Sequence, residues 1–187
     1  ARGQLMLNIP NSLTLLRICM IPGIIIALDY GHFDVGFGLF VAAGITDGLD
    51  GLIARMTNTR TELGAYLDPL ADKGLVIALL VSLTSLGQVP GWVLTIILTR
   101  DIVCLGGYLL LFFLTGEQIE VRPSRIGKMA TFMQLTGIAG VLLILWQPVL
   151  AVHLPDQLVL QLSAVVTAVA GIQYVTRGLL WYQEQPE

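Results

Sequence analysis

The chain has 187 residues, 55% hydrophobic and only 12% charged, with a formal net charge of −3. Soluble domains carry about 25% charged residues, so this composition argues against a soluble globular domain, and the absence of a basic excess argues against a nucleic-acid partner. Cys19 and Cys104 fall inside apolar runs without metal-site spacing and read as packing residues, not as a disulfide or zinc framework.

Six apolar runs predict six membrane-spanning helices, at roughly 11–29, 35–56, 65–86, 91–114, 129–147 and 157–180. Helices satisfy their own backbone in lipid, so the expected fold is an all-α integral membrane bundle. It is read as one domain over residues 1–187, with no internal repeat.

The first run opens on Asn8-Ile9-Pro10-Asn11, where Asn8 suits a helix cap and Pro10 the first turn. Asn11, Thr14 and Arg17 are spaced three apart and form a polar stripe entering the span. An arginine at that depth is expected to pair with an acid or to face a polar cavity. The run exceeds the apolar core of a signal peptide and no small-residue cleavage pattern follows it, so it reads as a retained span.

The second and third runs are joined by the polar segment 57–62. The fourth carries Arg100-Asp101, which reads as an internal salt bridge with a neighbouring or cross-bundle acid, or as part of a phosphate pocket. Ahead of the fifth run stand Arg122, Ser124, Arg125 and Lys128. The cations suit an anionic-lipid anchor or a pocket for an acceptor phosphate, and Ser124 also suits a helix cap.

The connections 30–34, 87–90 and 148–156 contain no Lys or Arg, whereas the opposite side collects Arg2, Arg55, Arg60, Arg122, Arg125, Lys128 and Arg177. Basic loops face the cytoplasm, so both termini are expected there. His32 and His153 fall on the outer side, away from any expected chemistry.

Four aspartates, at 47, 50, 68 and 72, stand where the second run ends and the third begins. Asp47 and Asp50 are three apart on one helix face; Gly64, Asp68 and Asp72 are four apart on another. A short turn between these helices can set the two faces together. Four carboxylates in a low dielectric repel unless some are protonated or cations lie among them. Hard oxygen donors select Mg²⁺, Mn²⁺ or Ca²⁺, and a binuclear site suits phosphoryl chemistry. Gly48, Gly51 and Gly64 give a ligand room near the backbone, or, with Ala54, permit close helix packing. Arg55 suits a phosphate contact or a cytoplasmic anchor.

The pattern Asp47-x2-Asp50-Gly51-x2-Ala54-Arg55-x8-Gly64-x3-Asp68-x3-Asp72 resembles the signature of the CDP-alcohol phosphotransferases at all eight defined positions. That resemblance implies six spans, a homodimer, two divalent ions (Mg²⁺ or Mn²⁺), and transfer of a substituted phosphoryl group from a CDP-linked lipid to an alcohol with release of CMP. It implies Asp47, Asp50, Asp68 and Asp72 as metal ligands and Asp72 as the base for the acceptor hydroxyl. Asp50, Gly51, Ala54, Arg55 and Gly64 would line the site of the CDP moiety. The site would face the cytoplasm at the inner membrane, where a lipid tail and a soluble nucleotide both have access.

Asn8-Ile-Pro-Asn11, Leu67-Asp-Pro-Leu-Ala-Asp-Lys73, Thr99-Arg100-Asp101 and Ile126-Gly127-Lys128 resemble the phosphatidylglycerophosphate synthase and cardiolipin synthase branch. Both use CDP-diacylglycerol; their acceptors are glycerol 3-phosphate and phosphatidylglycerol. Arg100, Arg122, Arg125 and Lys128 suit a phosphomonoester dianion, which favours glycerol 3-phosphate. Intramembrane acids and glycine-interrupted helices also fit a cation transporter, and the fixed eight-residue spacing separates the two readings.

Overall fold

The computed structural model describes the backbone of residues 9–57, 62–115, 125–152 and 156–183, and the side chains of 12–49, 70–107, 125–150 and 158–178. The described residues are helical throughout, in the order α1 (Ile9–Asp29), α2 (Phe33–Thr57), α3 (Glu62–Ser85), α4 (Gly91–Thr115), α5 (Arg125–Trp146), a 3-10 turn (Pro148–Val152) and α6 (Asp156–Gln183). Each of the six expected runs lies on its own helix. Within the described residues, Ser12–Asp29, Arg125–Trp146 and Leu158–Gly178 are long and apolar enough to cross a membrane. The other three helices have 24 or 25 residues, but α2 and α3 carry the aspartates and α4 carries Arg100-Asp101 within otherwise apolar sequence.

The chain divides into two compact units: residues 1–86 with 142–152, and residues 87–141 with 153–187. In the first unit α1 packs against both α2 and α3. Ile24 and Leu28 of α1, Ala43 of α2, and Leu79, Leu80 and Leu83 of α3 are buried there. Phe37 stacks on Trp146 with ring centroids 5.6 Å apart.

The turn from α1 to α2 follows from one glycine. Gly31 takes φ +75, a left-handed conformation open to residues without Cβ. Its N–H donates to the Leu28 carbonyl at 3.0 Å, and the His32 N–H donates to the Ala27 carbonyl at 2.8 Å. This paired closure satisfies the last carbonyls of α1 and reverses the chain in a few residues. The sharp reversal lays α2 back along α1, which sets Asp47 beside the α1 face that bears Arg17.

In the second unit α4 packs on α6, and α5 meets α6 closely at Gly137. A Cβ there would lie 2.7 Å from Leu160 Cγ and 3.3 Å from the Leu160 backbone nitrogen. Small residues permit such helix contacts in membranes, where van der Waals packing replaces the hydrophobic drive. Gln134 Nε2 donates to Thr167 Oγ1 at 2.8 Å across the same interface, with both side chains buried. Outward, Ile102, Phe132 and Ile172 are each at least 66% exposed. Apolar side chains left open on helices of this length are those of a membrane protein, with lipid as the solvent for that surface.

Candidate functional site: an arginine between two aspartates

Arg17 stands on α1 three residues after Thr14, so the two share a face; both are fully buried. At Thr14 and Arg17 the stripe seen in the sequence therefore points into the protein, while the side chain of Asn11 lies outside the described residues. From α1 the guanidinium reaches two other helices at once. Nη2 lies 3.0 Å from Oδ1 of Asp47 on α2, and Nη1 lies 2.8 Å from Oδ1 of Asp72 on α3. The Nη1 contact is a hydrogen bond donated by the arginine.

Exposure is asymmetric. The Arg17 side chain is 1% exposed, whereas those of Asp47 and Asp72 are 49% and 52% exposed. A buried cation with no compensating anion costs several kcal/mol, so among the described residues Arg17, Asp47 and Asp72 form one electrostatic unit. The two carboxylates cap the arginine and stay about half exposed. Planar guanidinium, with donors in a fixed fork, suits this double contact better than a lysine ammonium.

Asp47 and Asp72, separated in sequence by the α2–α3 connection, are thus brought to a single group. The side chains of Asp50, Gly51, Ala54, Arg55, Gly64 and Asp68 lie outside the described residues, as does all of Arg122. Asp50, Gly51, Ala54 and Arg55 belong to α2, and Gly64 and Asp68 to α3. Among the described residues no group of three or more His, Cys, Asp or Glu gathers at metal-binding distance. The donor set nonetheless fits a hard divalent ion. Asp47 and Asp72 offer carboxylate oxygens only, half exposed, with the further carboxylates of Asp50 and Asp68 carried on the same two helices. Gly48, one residue past Asp47, is exposed, and no described atom lies within 4 Å of a Cβ built there. Close packing against the described residues therefore does not account for glycine at that point.

In the second unit, Arg100 Nη1 donates to Asp101 Oδ1 at 2.8 Å, and the two side chains are 22% and 17% exposed. The neighbouring acid is thus a partner of this arginine in the middle of α4. Arg100 also lines a largely apolar cavity of about 420 Å³, with Ile96, Val103, Ile172 and Val175 beside Thr95 and Thr99. Arg125 and Lys128 are exposed in the first turn of α5. Cations are disfavoured at a helix N-terminus, where the backbone dipole is already positive.

Sequence reasoning proposed the aspartates but did not include Arg17 in the site. The available signal was the three-residue spacing of Asn11, Thr14 and Arg17. It marked a polar face, while the identity of the facing acids depends on how α1 packs.

The family model described as CDP-alcohol phosphatidyltransferase matches residues 7–175. A Mycobacterium tuberculosis protein named "Probable phosphatidylglycerophosphate synthase" is 37% identical over 178 residues, covering 92% of this chain and 82% of that protein. The Bacillus subtilis "CDP-diacylglycerol--glycerol-3-phosphate 3-phosphatidyltransferase" is 34% identical, covering 92% of this chain and 96% of its own length. A Drosophila melanogaster "Probable cardiolipin synthase (CMP-forming)" is 33% identical over 147 residues, covering 71% of this chain and 46% of that protein. With all eight signature residues present and a family match over nearly its whole length, the chain belongs to the CDP-alcohol phosphatidyltransferases.

Proposed function

We propose that the protein transfers the phosphatidyl group of CDP-diacylglycerol to the primary hydroxyl of glycerol 3-phosphate, forming phosphatidylglycerophosphate and releasing CMP. The observation that carries this reading is the convergence of Asp47 and Asp72 on Arg17, inside a family signature. The names of the M. tuberculosis and B. subtilis relatives support the acceptor.

Asp72 is the base in this reading. Its carboxylate takes the hydroxyl proton as the acceptor oxygen attacks the lipid-linked phosphorus. The phosphorus–oxygen bond to CMP breaks, and CMP leaves with the electron pair. Asp47, Asp50, Asp68 and Asp72 would hold two divalent ions, Mg²⁺ or Mn²⁺, which would supply charge neutralisation for the diphosphate and the leaving CMP. Asp50, Gly51, Ala54, Arg55 and Gly64 receive the CDP moiety. Arg125 and Lys128 orient the acceptor phosphate, joined by Arg100 and Arg122. Arg100 contributes through the guanidinium edge that Asp101 leaves open.

The same reading takes all six helices as spans in one family domain over residues 1–187, both termini in the cytoplasm and the site facing that side of the inner membrane. The absence of Lys and Arg from residues 30–34, 87–90 and 148–156 supports it. A homodimer is part of the same proposal.

The second reading is a cardiolipin synthase with phosphatidylglycerol as acceptor, favoured by the Drosophila relative. The test is labelled CDP-diacylglycerol in detergent micelles with Mg²⁺ or Mn²⁺, offered glycerol 3-phosphate, phosphatidylglycerol, serine or inositol phosphate. Labelled phosphatidylglycerophosphate is the expected product. Cardiolipin from phosphatidylglycerol alone selects the second reading. No CMP with any acceptor rejects both and leaves the cation transporter.

A further inference from the structure

We propose that Arg17 is the charge-setting positioning residue of the aspartate site. It joins Asp47 to Asp72 before cations arrive, and its charge keeps the affinity for bare divalent ions low until the diphosphate donor binds with them. The inference rests on the metal assignment made above and adds a residue which that assignment does not contain.

The geometry carries it. One buried guanidinium lies within 3.0 Å of a carboxylate oxygen on each of two helices. Any cation held by those carboxylates meets a positive charge on its own ligands, and like charges at such range oppose each other strongly. The arginine cannot swing into water to relieve this, being fully buried beside Thr14. Four carboxylates and two divalent ions cancel; Arg17 then leaves one positive charge over, which a diphosphate anion meets. Cation and donor binding are therefore coupled, and the coupling is reciprocal.

Two effects of removing Arg17 oppose each other. Loss of the tether lets Asp47 and Asp72 separate, which weakens cation binding. Loss of the positive charge strengthens it. At contact distance in a half-buried site the charge dominates, because a full positive charge acts directly on both ligand carboxylates.

The test uses the full chain in detergent micelles and reads Mn²⁺ binding by electron paramagnetic resonance, with and without CDP-diacylglycerol. The expected results for Arg17→Gln are Mn²⁺ binding at least about tenfold tighter without donor, a smaller gain on adding donor than in the unmodified protein, and a lower kcat. Unchanged or weaker Mn²⁺ binding in Arg17→Gln overturns the proposal.

Arg17→Lys is the second variant, needed if the glutamine variant does not fold. It keeps the charge but lacks the two-nitrogen fork. Mn²⁺ affinity is expected to stay within about threefold while kcat falls; full kcat overturns the positioning role. Failure of the parent reading looks different. Unmodified protein that binds Mn²⁺ but releases no CMP removes the proposed reaction, and the Mn²⁺ comparison still decides the role of Arg17. Unmodified protein that binds no Mn²⁺ even with CDP-diacylglycerol present removes the metal assignment, and this inference with it.

Discussion

Arg17 Nη1 donates to Asp72 Oδ1 at 2.8 Å, so the residue proposed as base is oriented by a cation from a different helix. Asp72→Asn retains a carbonyl oxygen that accepts the same hydrogen bond, but it cannot take a proton at neutral pH. Turnover is expected to fall by about 10²–10⁴ with CDP-diacylglycerol binding nearly unchanged. CMP release and equilibrium donor binding check this, and near-normal turnover removes Asp72 as base.

Asp47→Ala acts differently, because it removes a proposed cation ligand and an anion that compensates Arg17. Metal and donor binding are expected to weaken together, by more than the roughly 10–100-fold that outer-sphere changes cost. The same holds for Asp50→Ala. Isothermal titration with Mn²⁺ checks it; unaltered affinity in both variants dismantles the ligand assignment.

Arg125 and Lys128 are three residues apart on one face at the start of α5, both exposed. Replacing both with alanine should raise KM for glycerol 3-phosphate by about tenfold or more, since hydrogen bonds to charged groups contribute roughly 1.5–3 kcal/mol each and solvent exposure reduces that. The effect on kcat should be smaller. Steady-state kinetics with varied acceptor measures both, and an unmoved KM takes away the main support for a phosphomonoester acceptor.

Gln134 and Thr167 form a buried pair between α5 and α6. Thr167→Val leaves the glutamine amide without that acceptor and should lower stability by about 1–2 kcal/mol. The double variant Gln134→Leu, Thr167→Val removes both polar groups and should recover part of the loss. Thermal unfolding in micelles reads the difference. A double variant no more stable than the single one shows that the pair is not coupled.

Hydropathy located the helices well because lipid burial needs a run of apolar residues and little else. It was less informative about their ends. The fifth apolar run starts at about residue 129, yet α5 begins at Arg125, since a basic turn can be helical without entering lipid. The 3-10 turn Pro148–Val152 was not legible for the same reason. At the site, spacing put Asp47 and Asp72 on faces that both meet Arg17, and the depth of Arg17 pointed to an acidic partner or a polar cavity. Which acids it meets depends on α1 packing against both α2 and α3, a tertiary fact no local pattern encodes. Arg100 shows the converse: the next residue, Asp101, was one of the partners the sequence offered, and it is the one that accepts the hydrogen bond.

The arginine of α1 meets Asp72 across a separation of 55 residues, which orders the birth of the protein. At about 5–20 residues per second, the ribosome delivers α1 several seconds before α3 exists. During that interval the guanidinium must be hydrated or held by the insertion machinery, and its helix cannot settle at final depth. Nascent chains stalled before residue 72 are therefore expected to leave a probe at the buried Thr14 position (Thr14→Cys with Cys19→Ser) accessible to water-borne reagents, and chains extended past α3 to close it. Equal labelling at both lengths would separate the seating of α1 from the arrival of Asp72.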